Sequence, residues 1–530
     1  MHIADYCILA AYLGLVLYIG IRVKSRIHTG EDFFLSGRAL PSWITGLAYM
    51  SANLGSLELM GFVANGAKFG VFTNQLYWIG SIPAMIFAGL VMTPMFYRNK
   101  VKSVPEYLKL RYDEKTRTLN AVGFAVLTVL TSGINLYGLA IVFKVLFNWP
   151  INVSILVAAV TVLTYVTWGG LRASIYTEVL QFFLIVIGLF PLSILAFRAV
   201  GGSAGMASTL PANLLHAWQP VLHPAGTPYG GGLFSIIVGL GFVVSFAYWS
   251  TDFLVMQRTF AARDLTAAQR TPVIAAFAKA LFPVFTVIPG LAALIIMPHQ
   301  IQQNYNLTLP LMLMHFYPAG LLGIGITALL ASFMSGMAGN VTAFNTVWTY
   351  DLYQTYIAPG RSDRHYLLMG RIATVAGVLI SVMAAYLALH FDNIFEYWAL
   401  LSSIFIGTSF ATFLLGISGN WVNGTGAFCG LLVGYATAIG NYVLYQQGII
   451  HYSSMMEMDF LGGVWGFLAN GVVASAVSIG GTRLSMEKVR GLVFRRDVMR
   501  EANRGPWLAR PTTLAIAVGI LTIALNIMFW

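Results

Sequence analysis

The chain has 530 residues, of which 58% are hydrophobic and only 9% are charged. An average soluble domain has about 25% charged residues, and a soluble chain of this length would divide into several domains that each need a polar surface. So few charges exclude a soluble protein and indicate a polytopic membrane protein. The formal net charge of +11 needs no nucleic-acid partner, because no basic helix with interleaved aromatic residues accompanies it.

Apolar stretches follow one another along the whole chain. Ile8–Ile21, Ile155–Val166, Val179–Ala196 and Leu514–Trp530 are nearly free of charge, and several approach the roughly 20 residues that cross a hydrocarbon core. The sequence therefore predicts an all-α membrane protein with about 14 transmembrane helices. Their cores are expected near residues 4–21, 43–66, 75–97, 119–147, 151–168, 174–197, 231–256, 272–297, 309–350, 366–389, 395–417, 424–446, 459–479 and 512–529. The stretch 309–350 is long for one span, so we expect its ends to protrude or bend.

The placement of basic residues supports this topology. If the N-terminus lies outside, alternate loops are cytoplasmic and hold nearly all of the 30 Lys and Arg residues. The exceptions are Lys68, Lys144, Arg198 and Lys279. Because cytoplasmic loops carry an excess of basic residues, we expect an integral protein of the plasma (inner) membrane with both termini outside. An enzyme is not expected, since the sequence offers no nucleophile–base pair or metal-ligand cluster.

The first cluster of polar residues inside a predicted span lies in GLAYMSANLGSLELMGFVANGAKFG, from Gly46 to Gly70. Gly55 stands among polar side chains there and predicts a broken helix, whose freed backbone groups could face an ion or a solute. Glu58 lies at mid-depth, where a carboxylate is costly in lipid. This position favours a functional role over a polar contact between packed helices.

A second cluster runs from Ser245 to Asp252 and contains Tyr248. Aromatic residues beside polar groups suit either a pocket wall or gate, or a belt at the membrane interface, and the sequence does not decide between them. Lys279 lies several residues inside the next span, where its charge calls for a partner such as Asp252 or Glu58.

The third cluster is the run ASFMSGMAGNVTAFNTVWTYD, from Ala331 to Asp351. Hydroxyls and amides repeat on one helix face at spacings of three and four, beginning with Ser332 and Ser335. Oxygen donors suit a hard cation, whereas packing of small residues explains the glycines equally well. Glu178 lies near the cytoplasmic start of its span, where an acid that is solvated or paired with Arg is the simpler interpretation.

Several motifs occur in a characteristic order. They are FFLSGRALPSW from Phe33, SANLGS from Ser51, SVPEYLKLRYD from Ser103, YVTWGGLRASIYTEVLQ from Tyr165 and the run ending TYDLYQ at Gln354. Together they resemble the solute:sodium symporter family over residues 33 to about 417. The resemblance implies a single transporter domain with a LeuT-type five-plus-five inverted repeat. Its repeats would be 43–197 and 231–417, with added helices in 1–42 and 424–530.

The resemblance also implies an ion site, formed by backbone carbonyls of the first broken helix and hydroxyls of the eighth core helix. The matching positions in this chain are Ser51, Leu54, Ser332 and Ser335. Na⁺ is the implied coupling ion. Gly336 stands where the family usually has a second Ser or Thr, so one hydroxyl ligand is missing. Glu178 stands where relatives carry an Asp on the cytoplasmic sodium path.

For the solute, the resemblance to sodium/galactose symporters of this family is partial. The residues expected to line the pocket are Asn53, Glu58, Tyr77, Ser245, Tyr248 and Lys279. Asn53 and Lys279 match polar groups of the galactose pocket, and Tyr248 matches its inner gate. Other positions depart from the pattern: Glu58 takes the place of a Gln or His, Tyr77 that of a Glu and Ser245 that of an Asn. Nothing is carried over from the tenth core helix near residues 396–398.

These features predict a secondary active transporter that works by alternating access. The predicted activity is sodium-coupled symport of a small polar solute, either sugar-like or another organic solute. The alternatives are a proton-coupled or uncoupled carrier with Glu58 as the titrating group, and a transporter-like solute sensor. The expected partners are the solute and the lipid bilayer, and no obligate protein partner is evident.

Overall fold

The computed structural model of the protein describes residues 2–24, 30–225, 227–391, 393–482, 484–494 and 506–530. This part of the chain is helical and contains no strand. Its α-helices are α1 (Ile3–Lys24), α2 (Gly30–Leu35), α3 (Ser42–Asn53), α4 (Phe62–Phe69), α5 (Asn74–Trp78), α6 (Ile82–Phe87), α7 (Thr93–Arg98), α8 (Val104–Arg111), α9 (Glu114–Phe147), α10 (Ile151–Ala199), α11 (Gly202–Thr209), α12 (Gln219–Leu222), α13 (Ser245–Thr251), α14 (Phe253–Phe260), α15 (Leu265–Leu281), α16 (Pro283–Ile296), α17 (Pro298–Gln303), α18 (Thr308–Phe316), α19 (Leu321–Val347), α20 (Asp363–Ala388), α21 (Ile394–Ser402), α22 (Thr408–Ser418), α23 (Gly424–Gln446), α24 (Met455–Ile479), α25 (Met486–Val489) and α26 (Pro511–Met528). π-helical turns lie at Leu57–Gly61, Ala88–Met92, Ser235–Val244, Trp348–Ile357 and Ser403–Gly407.

Within the described residues, 11 helical stretches are long and apolar enough to cross a membrane, or up to 12 with one bent pair. The all-α membrane architecture is therefore confirmed, whereas the predicted number of about 14 spans is not. The difference arises partly because Leu57–Arg98 forms one apolar stretch that covers parts of two predicted spans. The predicted span 309–350 divides into α18 and α19, and the chain turns between them at Gly320, whose φ is 86°.

The first core helix is broken where Gly55 predicted a break. α3 ends at Asn53, and Leu54 has the non-helical angles φ −76° and ψ 55°. Helical hydrogen bonding resumes when Glu58 N and Leu59 N donate to Gly55 O, at 3.1 Å each. A side chain at position 55 would overlap the Asn135 amide oxygen on α9. Glycine is therefore required because α9 packs directly against the break.

A second break divides the stretch Ser235–Thr251 from α14, with a bend of 46°. Asp252 forms the joint with extended angles of φ −71° and ψ 119°. Its Oδ1 accepts a hydrogen bond of 2.7 Å from Leu254 N, which caps the start of α14. An interrupted helix thus lies at the beginning of each predicted repeat, 43–197 and 231–417, and the repeat boundaries themselves stay predictions.

Helix α19 lies at the centre of the bundle, and almost every residue from Gly323 to Val347 is buried. It packs against α3, α9, α10 and α14, so that both broken helices meet it. Small residues allow this density elsewhere too. Gly290 on α16 is so close to α4 that a β-carbon there would lie 2.6 Å from Val63 O and 2.8 Å from Ala67 N. Close backbone approach of this kind holds helices together in lipid.

Gly290→Ala is expected to destabilise the fold by about 1–3 kcal/mol, because the added methyl group must push α16 away from the backbone of α4. Thermal unfolding of the purified protein in detergent measures the effect. Gly519→Ala is the matched control, since no atom lies within 4 Å of the place its β-carbon would take. Equal unfolding midpoints for the two variants would contradict the packing described for α16.

Candidate functional site

A narrow cavity lies beside the break in the first core helix. Its empty volume is about 390 Å³, including the open mouth. Five segments supply its walls: the break itself, the α5–α6 region, the helix that ends in α13, α15 and α21. The lining residues are Asn53, Leu57, Glu58, Phe62, Leu76, Ser81, Leu240, Ser245, Tyr248, Trp249, Lys279, Phe395 and Trp398. Apolar and aromatic walls with a few polar groups are typical of a small-molecule site.

The polar groups of the cavity form one hydrogen-bonded chain. Lys279 Nζ donates to Glu58 Oε2 and to Asn53 Oδ1, each at 2.7 Å. Asn53 Nδ2 in turn donates to the Tyr248 hydroxyl at 2.8 Å. The Lys279 and Glu58 side chains are each only 2% exposed. Both charges are therefore buried and paired, which is the condition under which charges persist away from water.

Aromatic rings surround the Lys279 ammonium. Its Nζ lies 5.0 Å from the ring centroid of Tyr77, 5.3 Å from that of Trp249 and 5.6 Å from that of Phe62. The faces of aromatic rings attract cations at these distances, and the attraction partly replaces the lost hydration of the lysine. Lys279 is thus held in place by its ion pair and by three rings.

The second oxygen of Glu58 has a different environment. Oε1 is buried, and none of the described residues donates a hydrogen bond to it. A buried carboxylate oxygen without a donor is costly, and native structures contain few of them. The atom belongs to a residue that lines the cavity. It is therefore an acceptor available to a donor that enters the cavity.

A second group of oxygens lies on the other side of the break, between α3 and α19. Ser335 Oγ donates to Ser51 O at 3.0 Å and lies 3.2 Å from Ser51 Oγ. Ser332 Oγ donates to Leu54 O across the same interface. The four residues that the sequence predicts for the ion site therefore meet, and their side chains or carbonyls are buried.

This oxygen group fits a sodium ion in its donor chemistry. Two backbone carbonyls at the C-terminal end of α3 carry partial negative charge, and two serine hydroxyls can turn their lone pairs toward a cation. Hard cations prefer oxygen ligands of these types. The hydroxyls now satisfy the carbonyls directly, so a bound ion would take over the role that their hydrogen atoms perform. Ser51, Leu54, Ser332 and Ser335 are the residues that would hold it.

Glu178 is not part of this oxygen group in the structure. Its carboxylate forms an ion pair with Arg258 of α14, and both side chains are fully buried. Ser174 Oγ donates a further hydrogen bond to Glu178 Oε1 at 2.6 Å. Arg258 NH1 donates to Leu254 O at 2.6 Å and so stays fixed to its own helix. The pair therefore connects α10 to the segment after the second break, in agreement with the simpler interpretation of Glu178 as an acid paired with Arg.

The solute residues predicted from the sequence meet around one space. Five of them line the cavity, and Tyr77 is next to it, with its ring under Lys279 and its hydroxyl 2.9 Å from Thr286 Oγ1. Their roles in binding stay predictions. Sequence reasoning missed Phe395 and Trp398, which come from the α21 region that could not be aligned. It also missed Asn135, although an amide in the middle of a span is a signal in itself.

Glu178→Gln is expected to destabilise the protein by about 3–5 kcal/mol, because it leaves the buried Arg258 without its counter-charge. The double variant Glu178→Leu with Arg258→Met is expected to recover most of this loss. Thermal unfolding in sodium-free buffer measures both effects. Arg263→Met is the control, since its ion pair with Asp264 is exposed and contributes little. Unchanged stability of Glu178→Gln would contradict a structural role for the pair.

Comparison with known proteins gives a consistent result. The sequence profile of the sodium:solute symporter family matches residues 33–434. A sodium/glucose cotransporter of Vibrio parahaemolyticus is 29% identical over 82% of this chain and 84% of its own length. A sodium/myo-inositol cotransporter 2 of Mus musculus is 26% identical over 84% of this chain and 70% of its own length.

Solved structures show the same fold. A Na⁺-coupled sialic acid symporter in an outward-open state superposes with a TM-score of 0.76 at 19% identity, over 91% of this chain and 99% of its own. A transporter of the nucleobase-cation-symport-1 family superposes with a TM-score of 0.53 at 12% identity, over 87% and 97% of the two chains. This agrees with the LeuT-type architecture expected from the motifs. Because the family profile covers most of the sequence, the chain belongs to the sodium:solute symporter family, whose members are transporters and not enzymes.

Proposed function

We propose that the protein is a secondary active transporter that uses a sodium gradient to move a small, neutral, polyhydroxylated solute by alternating access. The observation that carries this proposal is the buried Glu58 Oε1, which lacks a donor beside a cavity that Lys279, Asn53 and Tyr248 also line. A solute hydroxyl donates one hydrogen bond and accepts others. It could therefore satisfy Glu58 and accept from Lys279 or Asn53 in the same position.

The charge balance of the cavity supports a neutral solute. Glu58 and Lys279 neutralise each other, so an ionic solute would bring an unpaired charge into a buried site. The rings of Trp249, Phe395 and Trp398 provide apolar surfaces for the carbon skeleton of such a solute. Two relatives are cotransporters of glucose and of myo-inositol by name. Both solutes are rings that carry several hydroxyl groups, which suits this combination of walls and polar groups.

Coupling between ion and solute has a short physical route in this proposal. Asn53 contacts Lys279 and Tyr248 through its side chain, and the next residue, Leu54, offers its carbonyl oxygen to α19. An ion that fixes the Leu54 carbonyl would also fix the backbone from which the Asn53 side chain extends. Ion binding would then favour the conformation in which the solute site is formed, through its differential affinity for that conformation.

The proposal includes location in the plasma membrane with both termini outside, on the basis of the basic loops. The solute and the bilayer are the partners that it requires. The carrier with Glu58 as titrating group remains the second candidate. The ion pair with Lys279 argues against it, because a neighbouring ammonium group stabilises the ionised carboxylate. A solute sensor would use the same cavity without passing its ligand across the membrane.

Proteoliposomes with an inward sodium gradient are expected to accumulate labelled glucose or myo-inositol several-fold above the level reached with an equal potassium gradient. The reason is that only sodium couples its own free-energy gradient to the solute. An ionophore that dissipates the gradient serves as control and should abolish accumulation. Accumulation that follows an imposed pH gradient and ignores sodium would contradict the proposal. Solute binding in detergent without accumulation in liposomes would identify a sensor.

Glu58→Gln is expected to reduce sodium-driven uptake at least about tenfold, which corresponds to about 1.4 kcal/mol. The variant keeps the shape of the side chain but removes the charge that pairs with Lys279 and an acceptor for the solute. Uptake at several pH values provides the measurement, and Glu487→Gln is the control, because Glu487 is exposed and far from the cavity in sequence. If Glu58→Gln retained full sodium-driven uptake, Glu58 would not be a solute ligand.

A further inference from the structure

Position 336 is the one place where the ion site lacks an expected hydroxyl, and the structure gives a physical reason for glycine there. A β-carbon on Gly336 would lie 2.8 Å from Asn135 Oδ1 and 2.8 Å from Gly55 Cα. Contacts this short do not occur in folded proteins, so neither Ser nor Thr fits without movement of its neighbours. The space of the missing side chain is occupied by the amide of Asn135 and by the backbone of the break.

Asn135 lies in the middle of α9 and is only 3% exposed. Its Nδ2 donates to Thr131 O on its own helix at 3.3 Å. Its Oδ1 points the opposite way, to the break, and accepts from Ser56 N at 2.8 Å and from Ser56 Oγ at 3.2 Å. The two partners fix the orientation of the amide, because the nitrogen faces a carbonyl and the oxygen faces an N–H group. A buried oxygen therefore points at the junction of α3 and α19.

The neighbours of Asn135 Oδ1 are the neighbours of the ion ligands in the chain. Gly55 directly follows Leu54, and Gly336 directly follows Ser335. The oxygen lies against both glycines, so it enters the site from the side on which a hydroxyl at position 336 would stand. We propose that Asn135 Oδ1 is a ligand of the coupling ion and replaces the missing hydroxyl. This inference rests on the proposed sodium coupling and adds a residue of α9 to a site formed by α3 and α19.

The hydrogen bonds of Asn135 leave room for this role. An amide oxygen has two lone pairs, and the Ser56 N–H group uses one of them. The Ser56 hydroxyl has an alternative acceptor, Ile134 O, at 3.0 Å. When it donates there, the second lone pair of Asn135 Oδ1 is available for a cation. The ordinary alternative is that Asn135 only caps the restarted helix at Ser56, which would make it structural.

A cap and an ion ligand differ in their dependence on the cation, and this difference is the basis of the test. The midpoint of thermal unfolding is measured in sodium chloride and in potassium chloride at equal ionic strength, without solute. A ligand of the folded state raises the midpoint as its concentration exceeds its dissociation constant. Sodium-driven uptake gives the half-saturating sodium concentration independently. The variants are Asn135→Ala, Asn135→Asp and, as the matched control, Ser56→Ala.

Asn135→Ala is expected to remove most of the sodium-specific rise in the unfolding midpoint and to raise the half-saturating sodium concentration at least about tenfold. Asn135→Asp keeps the oxygen and adds a negative charge, so it is expected to lower the half-saturating concentration below that of the wild type. It also keeps the cap, which makes it the informative variant if Asn135→Ala does not fold. Ser56→Ala removes one competing donor and is expected to leave the sodium response intact.

The inference is overturned if Asn135→Ala lowers the midpoint equally in both salts and keeps the sodium-specific rise, since this is the behaviour of a cap. It is also overturned if Asn135→Asp responds to sodium like the wild type. Failure of the proposed function looks different, because the wild-type protein itself would then show neither a sodium-specific rise nor sodium-driven uptake.

Discussion

The interruption of the first core helix at Leu54–Ser56 is the constraint on which the rest of the structure depends. Inside a bilayer, no water is available for the backbone groups that a broken helix releases, so protein groups must satisfy them. Ser332 and Ser335 donate to the carbonyls of the first half, and Asn135 accepts from the N–H of Ser56 in the second half. α9 and α19 are therefore held against the break by hydrogen bonds as well as by packing.

The same interruption brings two kinds of chemistry close together. Carbonyl oxygens face α19 on one side, while Asn53 and Glu58 face Lys279 on the other. A regular helix could not serve both sides, because its carbonyls would be used by its own amides. The break thus gives one short segment contacts with an ion and with a solute. This arrangement makes a helix between two substrates more effective than two separate binding sites for coupling their free energies.

Much of this site was predictable because polar residues are costly in lipid and therefore informative. Gly55 among polar neighbours predicted the break, and Glu58 and Lys279 stood out as charges within spans. The pairing of Glu178 with Arg258 was less accessible, since the two residues are 80 positions apart and only folding brings α10 to α14. Phe395 and Trp398 were missed for a similar reason. The number of spans was not settled by hydropathy, because bends and π-helical turns divide or join apolar stretches without changing their composition.

The ion pair between Glu58 and Lys279 also joins the two predicted repeats, since one partner lies in 43–197 and the other in 231–417. An empty carrier that moved its repeats apart would have to separate two buried charges, and such a separation is strongly unfavourable. A solute with several hydroxyls could replace part of the pairing during the movement. The pair would thereby act as a barrier to futile cycling, so that sodium does not leak across the membrane when no solute is bound.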